Sequence, residues 1–322
     1  MSGPVAVSPV DVSVVVLSYD RVHLLKRTLD ALLDPAVARG VSFEVIVADN
    51  HAERLAEGYM RDYAAAASFP VTYLADGARN YSIVRNLGVK AARGRYIAFV
   101  DDDEEPQPGW LYELYACLER TGGDAAFGRK LPLFESGGPP DWDPTAQFFK
   151  ADREQPQDTP IHMFGRRRPN KGLGTGNSIF RVATCFEGPE PFAVRFGIGG
   201  GEDTYLLFKL ALEGKRFFWC PAAVVVEFME ADRVRPSYII TRLMKGSQHY
   251  ASRRVALATN KTAMGIRVSL LGLAQLAVET VLWLVTLPFS KPAAFAHRVG
   301  MAKGIGKLTW RKPLGFIVDG EV

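Results

Sequence analysis

Cysteine is scarce in this chain of 322 residues, which holds three, and histidine nearly so, with five. Cys117, Cys185 and Cys220 are odd in number and far apart, which excludes a disulfide framework and a zinc site built on paired cysteines. A reducing compartment is the expectation. Two phosphate-binding signatures are also missing: no G-x-x-x-x-G-K-[ST] occurs, and no G-x-G-x-x-G follows the first apolar run. Their absence argues against a phosphate-loop ATPase and an ordinary dinucleotide dehydrogenase. The opening MSGPVAVSPVDVSVVVLSYD has no basic region ahead of its apolar run, so it reads as the approach to a strand rather than a secretory signal. The soluble part is therefore expected in the cytoplasm. Internal repeats are lacking too. Acid is scarcest near the C-terminus: residues 233–312 hold fourteen Lys and Arg and a single acid, Glu279, although the whole chain carries only +4.

That asymmetry calls for an acidic partner. Aromatic side chains are not interleaved with the basic ones as base stacking requires, so a membrane surface with anionic lipids is expected and nucleic acid is not. RPSYIITRLMKGSQHYASRRVALAT, from Arg235, has the mixed basic and apolar composition of an interfacial helix. Residues 264–289, MGIRVSLLGLAQLAVETVLWLVTLPF, exceed the about twenty residues that cross a hydrocarbon layer. Gln275 and Glu279 fall near the middle, and an isolated carboxylate there is costly. Three readings stay open: an in-plane or re-entrant hairpin, a span with Glu279 paired, and a soluble core helix. Trp283, Trp310 and the basic residues from Lys291 to Lys312 suit a headgroup boundary.

The N-terminal half alternates apolar runs with helical spacing. VSVVVL (12–17), FEVIVADN, VTYLA and RYIAFV read as buried strands. Between them RVHLLKRTLDALLD, the stretch 52–67 and YSIVRNLGVKAARG read as helices, the last closed by Gly94. This order predicts a doubly wound α/β sheet. Ligands of such sheets bind beyond the carboxyl ends of the strands, where Ser18, Asp49 and Asp101 stand. The region 135–172 is rich in Gly, Pro, Asp and Arg and reads as a long irregular loop, of the kind that serves as a lid or substrate loop.

IAFVDDDEEPQPGW (97–110) runs a strand into five consecutive acids. Neighbouring carboxylates repel, so either something positive meets them or they point into water. A divalent cation with oxygen ligands, Mg²⁺ or Mn²⁺, is the natural remedy. In an extended segment alternate residues share a face, so Asp101 and Asp103 are expected to share the cation while Asp102 turns away, with Glu104 and Glu105 solvated. The plain alternative is a solvated acidic turn.

Taken together, SVVVLSYDRVHLLKRTLDALL, VIVADN, VRNLGVKAARGRYIAFVDDDEEPQPGWL and GGGEDTYLLFKL resemble family 2 glycosyltransferases of the GT-A fold, and among them bacterial exopolysaccharide enzymes of the succinoglycan glucosyltransferase type. The resemblance implies a Rossmann-like mixed sheet flanked by helices over 1–232 and a membrane-associated helical region over 233–322. Residues 1–130 would form the nucleotide-binding half, and 131–232 the acceptor half with its flexible loop 135–172. It implies that Ser18, Tyr19 and Asp49 hold base and ribose, and that Arg85 and Asn86, of an R-N-x-G helix, lie near the nucleotide and phosphates. Asp101, Asp102 and Asp103 match the D-x-D region, with Asp101 and Asp103 as metal ligands and Asp102 assisting the nucleotide. In GGGEDTY, Asp203 matches the general base and Glu202 its neighbour. Asn177, Trp110 and Arg242 are the acceptor-side candidates. Arg79 or Arg85 is expected to meet diphosphate charge, and Glu227 or Glu230 stands where related enzymes place a metal-binding His. The activity implied is inverting, metal-dependent transfer of a hexose from a nucleotide diphosphate sugar, a UDP-sugar above all. The acceptor implied is a lipid-linked glycan at the cytoplasmic face of the inner membrane. A polyprenyl phosphate acceptor, or a nucleotide-sugar-binding regulator without turnover, are the alternatives.

Overall fold

The computed structural model describes residues 10–164 and 173–311. Residues 165–172 of the expected loop and Lys312 of the expected basic boundary lie outside them. Nine strands are described: β1 (Val12–Ser18), β2 (Phe43–Asp49), β3 (Val71–Ala75), β4 (Tyr96–Asp101), β5 (Glu104–Pro106), β6 (Ala125–Phe134), β7 (Thr159–Ile161), β8 (Ser178–Arg181) and β9 (Phe217–Met229). The helices are α1 (Val22–Leu32), α2 (Pro35–Ala38), α3 (Glu57–Ala66), α4 (Tyr81–Ala91), α5 (Trp110–Thr121), α6 (Val182–Cys185), α7 (Glu202–Leu212), α8 (Pro236–Ala256), α9 (Lys261–Thr286) and α10 (Lys291–Leu308).

The strands form one mixed sheet in the order β3-β2-β1-β4-β8-β6-β9-β5, with β7 on β9. β3, β2, β1 and β4 are parallel, and β8 enters antiparallel to β4 and to β6. This is the mixed α/β sheet of the GT-A fold. Its parallel half follows from the residues: β1 is a fully buried β-branched run, as a strand covered on both faces must be. α1 lays Leu24, Leu25, Leu29 and Leu32 inward at helical spacing. α4 starts at Asn80, whose Oδ1 accepts from Ser82 N and Ile83 N, and closes onto β1 at Gly88. A Cβ there would stand 2.7 Å from Val15 Cγ1, which is why the R-N-x-G pattern needs its glycine.

The chain forms two units that interleave in sequence. The first comprises the chain to Leu131, Ala151–Pro191 and Gly214–Glu227; the second comprises Pro132–Lys150, Phe192–Glu213 and the chain from Phe228. The second unit has its own core of Phe134, Phe149, Met229, Ile239, Phe295 and Val299. The stretch 135–150 of the expected flexible loop is irregular but tied down: Asp143 is wholly buried and accepts from Gln147 N and Phe148 N, both at 3.0 Å.

α9 is a single unbroken helix. The polar residues that counted against burying it all turn toward α10. Glu279 Oε2 meets His297 Nδ1 at 2.7 Å, Gln275 Nε2 donates to Gly300 O at 3.0 Å, and Lys307 Nζ donates to Gln275 Oε1 at 2.7 Å. Trp310 packs on Gly265 and donates to Ser269 Oγ at 3.2 Å, against the N-terminal part of α9.

Candidate active site

The registers Ser18↔Asp49 and Leu17↔Asp101 set three polar residues at adjacent strand ends of the first unit. Asp49 is buried: Oδ1 accepts from His51 N at 2.9 Å, and Oδ2 accepts from Tyr73 OH at 2.6 Å, which leaves each oxygen a further lone pair. Burial and this bond raise the Tyr73 phenol above its ordinary range. Tyr19, just past β1, sets its ring 5.4 Å from that of His51. α4 is tied to the same edge by Asn80 N, which donates to Asn50 Oδ1 at 2.9 Å, and it carries the buried Arg85 and Asn86.

Past Asp101 the chain turns rather than continuing extended, so the alternation expected for the acids does not apply. Asp102 and Asp103 share one cation. Arg21 NH1 donates to Asp103 Oδ2 at 2.9 Å, and NH2 donates to Asp102 Oδ1. Asp102 is held further by Tyr19 N at 3.5 Å, and its carbonyl accepts from Thr28 Oγ1 at 2.8 Å. Asp101 is half-exposed and faces Lys130, whose Nζ lies 3.8 Å from its Oδ2. Glu104, expected in water, is instead wholly buried. It sits on β5 opposite Glu227 of β9 and pairs with Lys130. Arg27 meets Glu105 at 3.2 Å. The positive charge that the acid run demanded is therefore, in good part, the chain's own.

The electrostatics follow from this packing. Burial pushes the Asp102 carboxyl up to about 7, with Arg21 opposing and Asp103 and Asp101 adding to the rise. Burial likewise pushes Glu104 up to about 8, against Lys130 and with Asp101, Glu227 and Asp103. For Arg21 and Lys130 burial works downward, but the surrounding carboxylates more than offset it and hold both above their ordinary ranges. Gly176 roofs the cluster: a Cβ there would stand 2.4 Å from Asp101 Oδ2 and 2.8 Å from Lys130 Nζ.

Glu202 and Asp203 open α7 in the second unit. Gly201, at φ 81°, caps the helix in a conformation that glycine adopts without strain. Arg253 of α8 holds this turn from behind. Its NH2 donates to Gly200 O at 2.6 Å and its Nε to Gly201 O at 3.3 Å, while its guanidinium lies 3.8 Å over the Phe196 ring. Asp203 Oδ1 accepts from Thr204 N at 2.5 Å. Both acids thus stand in the first turn of α7.

Two expected acceptor residues are structural. Trp110 is wholly buried, and its indole N–H donates to Asn177 Oδ1 at 2.8 Å. Asn177, at φ 52°, spends its amide on Arg129 O at 2.7 Å and Ala223 O at 3.2 Å. Its hydrogen-bonding groups are used within the first unit. Arg242 is half-buried on α8, Arg79 is exposed at φ 49°, and Glu230 lies just past β9 in the second unit. Sequence reasoning passed over Arg21, Lys130 and Tyr73. Arg21 had a signal, since it stands directly after the Ser-Tyr-Asp that ends β1; Lys130 and Tyr73 had none, because only strand pairing brings them to the acids.

Comparison with known proteins agrees with this geometry. The family model described as glycosyl transferase family 2 matches residues 13–183. The succinoglycan biosynthesis protein ExoM of Rhizobium meliloti (strain 1021) is 28% identical over 237 residues, 72% of this chain and 72% of that protein. The poly(ribitol-phosphate) beta-N-acetylglucosaminyltransferase TarP of Staphylococcus aureus (strain N315) is 25% identical over 120 residues, 37% of this chain and 36% of its own length. The fold matches the crystal structure of S. aureus TarS 1-349 in complex with UDP, with a TM-score of 0.54, 17% identity, and coverage of 92% of this chain and 89% of that one. The family match takes in more than half of the chain and contains the strand-end residues from Ser18 to Asp103, so the chain belongs to glycosyl transferase family 2 and is a glycosyltransferase.

Proposed function

We propose that this glycosyltransferase moves a hexose from a nucleotide diphosphate sugar, a UDP-sugar, to a lipid-linked glycan during synthesis of a bacterial surface or exopolysaccharide. The observation that carries the reading is the row of strand-end groups Ser18, Asp49 and Asp101–Asp103 in the first unit, where an α/β sheet binds its nucleotide. The likeness to ExoM supports the polysaccharide context, and the UDP bound by TarS supports the donor.

In this reading Asp49 accepts hydrogen bonds from the base and ribose, Ser18 and Tyr19 border them, and Arg85 with Asn86 meets the phosphates. Asp101 and Asp103 would hold Mg²⁺ or Mn²⁺. The donor set fits: it consists of carboxylate oxygens, the ligands such an ion takes, with Asp101 half-exposed at its strand end and Asp103 buried beside it. Such an ion completes its shell with water and substrate phosphates. When bound it supplies Lewis-acid stabilisation of the diphosphate leaving group. Asp203 takes the proton of the acceptor hydroxyl as the new C1–O bond forms and the bond to phosphate breaks, with inversion at C1.

The acceptor is reached at the membrane. Every exposed residue of α9 from Leu270 onward is apolar, and the basic residues of 233–312 complement an anionic surface. We place the enzyme on the cytoplasmic side, with the α9–α10 pair embedded as a monotopic hairpin.

The test is UDP release and sugar transfer with Asp103→Ala and Asp203→Asn. Each is expected to lose activity by about a hundredfold or more; full activity in both sinks the reading. An Asp203→Asn enzyme that still glycosylates a polyprenyl phosphate, which needs no base, shifts the acceptor to that class.

A further inference from the structure

We propose that Arg21 is a built-in counter-ion that competes with a divalent cation for Asp103, so that metal and nucleotide diphosphate bind this site cooperatively rather than independently. The inference rests on the reading of Asp103 as a metal ligand. It starts from the geometry: the two arms of one guanidinium are divided between Asp102 and Asp103, with NH1 2.9 Å from Asp103 Oδ2.

The partners differ in their access to water. The side chains of Asp102 and Asp103 are 3% and 7% exposed, whereas that of Arg21 is 27% exposed. The acids are fixed in place and the arginine is the member that can leave. Arg21 stands at the first residue before α1, after Asp20 at φ 54°, so its side chain reaches the acids from a tight turn rather than from inside an element. One guanidinium is divided between two buried carboxylates, beside half-exposed Asp101. Lys130 is divided between Glu104 and Asp101, and Arg27 meets Glu105.

A cation that takes Asp103 Oδ2 displaces the NH1 arm, and it then lies within a few ångströms of a guanidinium that repels it. A diphosphate resolves the conflict, because its oxygens ligate the ion and accept from the displaced arginine at once. Each ligand thus raises the affinity of the other by the same factor.

The test is a titration of the full chain with Mn²⁺, read by electron paramagnetic resonance of free Mn²⁺, with and without UDP. Arg21→Gln is expected to bind Mn²⁺ about tenfold more tightly than wild type in the absence of UDP, and to lose most of the gain that UDP confers. Arg21→Lys keeps the charge but not the fork, and is expected to fall between the two. Thermal unfolding checks that each variant is folded, and the lysine variant carries the test if the glutamine one is not. Unchanged or weaker Mn²⁺ binding in the folded Arg21 variants, with binding abolished in Asp103→Asn, overturns the competition and leaves the metal site standing. Undiminished binding in Asp103→Asn removes the ligand assignment itself, and the inference with it.

Discussion

Asn177 shows how a residue chosen for chemistry can turn out to hold the fold. Its side chain closes three hydrogen bonds among Trp110, Arg129 and Ala223, at a positive φ that asparagine tolerates better than most residues. Asn177→Ala leaves the indole N–H and two carbonyls unmet, and is expected to lower unfolding stability by about 2–4 kcal/mol in a denaturant titration. Trp110→Phe removes the donor alone and should cost about 1–2 kcal/mol, with acceptor KM unchanged in the folded enzyme. A raised acceptor KM at normal stability would return Trp110 to the acceptor site. The acids tell the converse story. Asp49 and Asp101 were legible from their position after apolar runs, whereas the burial of Glu104 was not, because five acids in a row read as a solvated turn until β9 supplies a partner strand and β6 supplies Lys130.

At the level of elements, α9 and α10 pack through glycines. A Cβ on Gly300 would stand 2.3 Å from the Glu279 carboxyl carbon, and one on Gly272 would stand 2.9 Å from Gly304 O. Gly272→Leu is therefore expected to separate the helices and expose the hairpin to protease. Lys307 gives the hairpin a pH signature. Burial, with Lys303 adding, lowers its pKa from 10.5 to about 8. A lysine with a lowered folded pKa is penalised while charged, so the cost is full below about 8 and disappears as pH rises toward 10.5. The stability of wild type relative to Lys307→Gln should consequently rise between those values; a flat difference would show that Lys307 is solvated. The helices themselves were readable from composition and spacing. The pairing of Glu279 with His297 was not, since the partner lies on the next helix and a single histidine carries no sequence signal.

For the whole molecule, the decisive feature is a strongly basic C-terminal third that also exposes a broad apolar face, with Leu270, Val281 and Leu284 each more than half exposed and Phe289 85% exposed. Sedimentation with vesicles should show binding to anionic lipid that weakens as salt rises, since the basic residues act through a screened field. Replacing Leu270, Leu273, Val281 and Leu284 with Asn should abolish binding to anionic and neutral vesicles alike, at unchanged helix content. Binding that survives these changes would assign the attachment to the basic residues alone. The interleaving of the two units was not legible in the sequence. Composition changes sharply near Arg235, yet the second unit also recruits Pro132–Lys150 and Phe192–Glu213, which do not share the basic character of the segment beyond Arg235.

What the sequence by itself determined is the parallel half of the sheet, the acids at its strand ends and the long apolar helix. These depend on periodicity and local residue type, which a linear reading carries. The tertiary structure alone decided which charges meet: Arg21 on Asp102 and Asp103, Lys130 on Glu104, His297 on Glu279, and Asn177 spent inside the core. A charge or an amide is specified by its type, but its partner is set by strand order and helix packing between residues far apart in the chain.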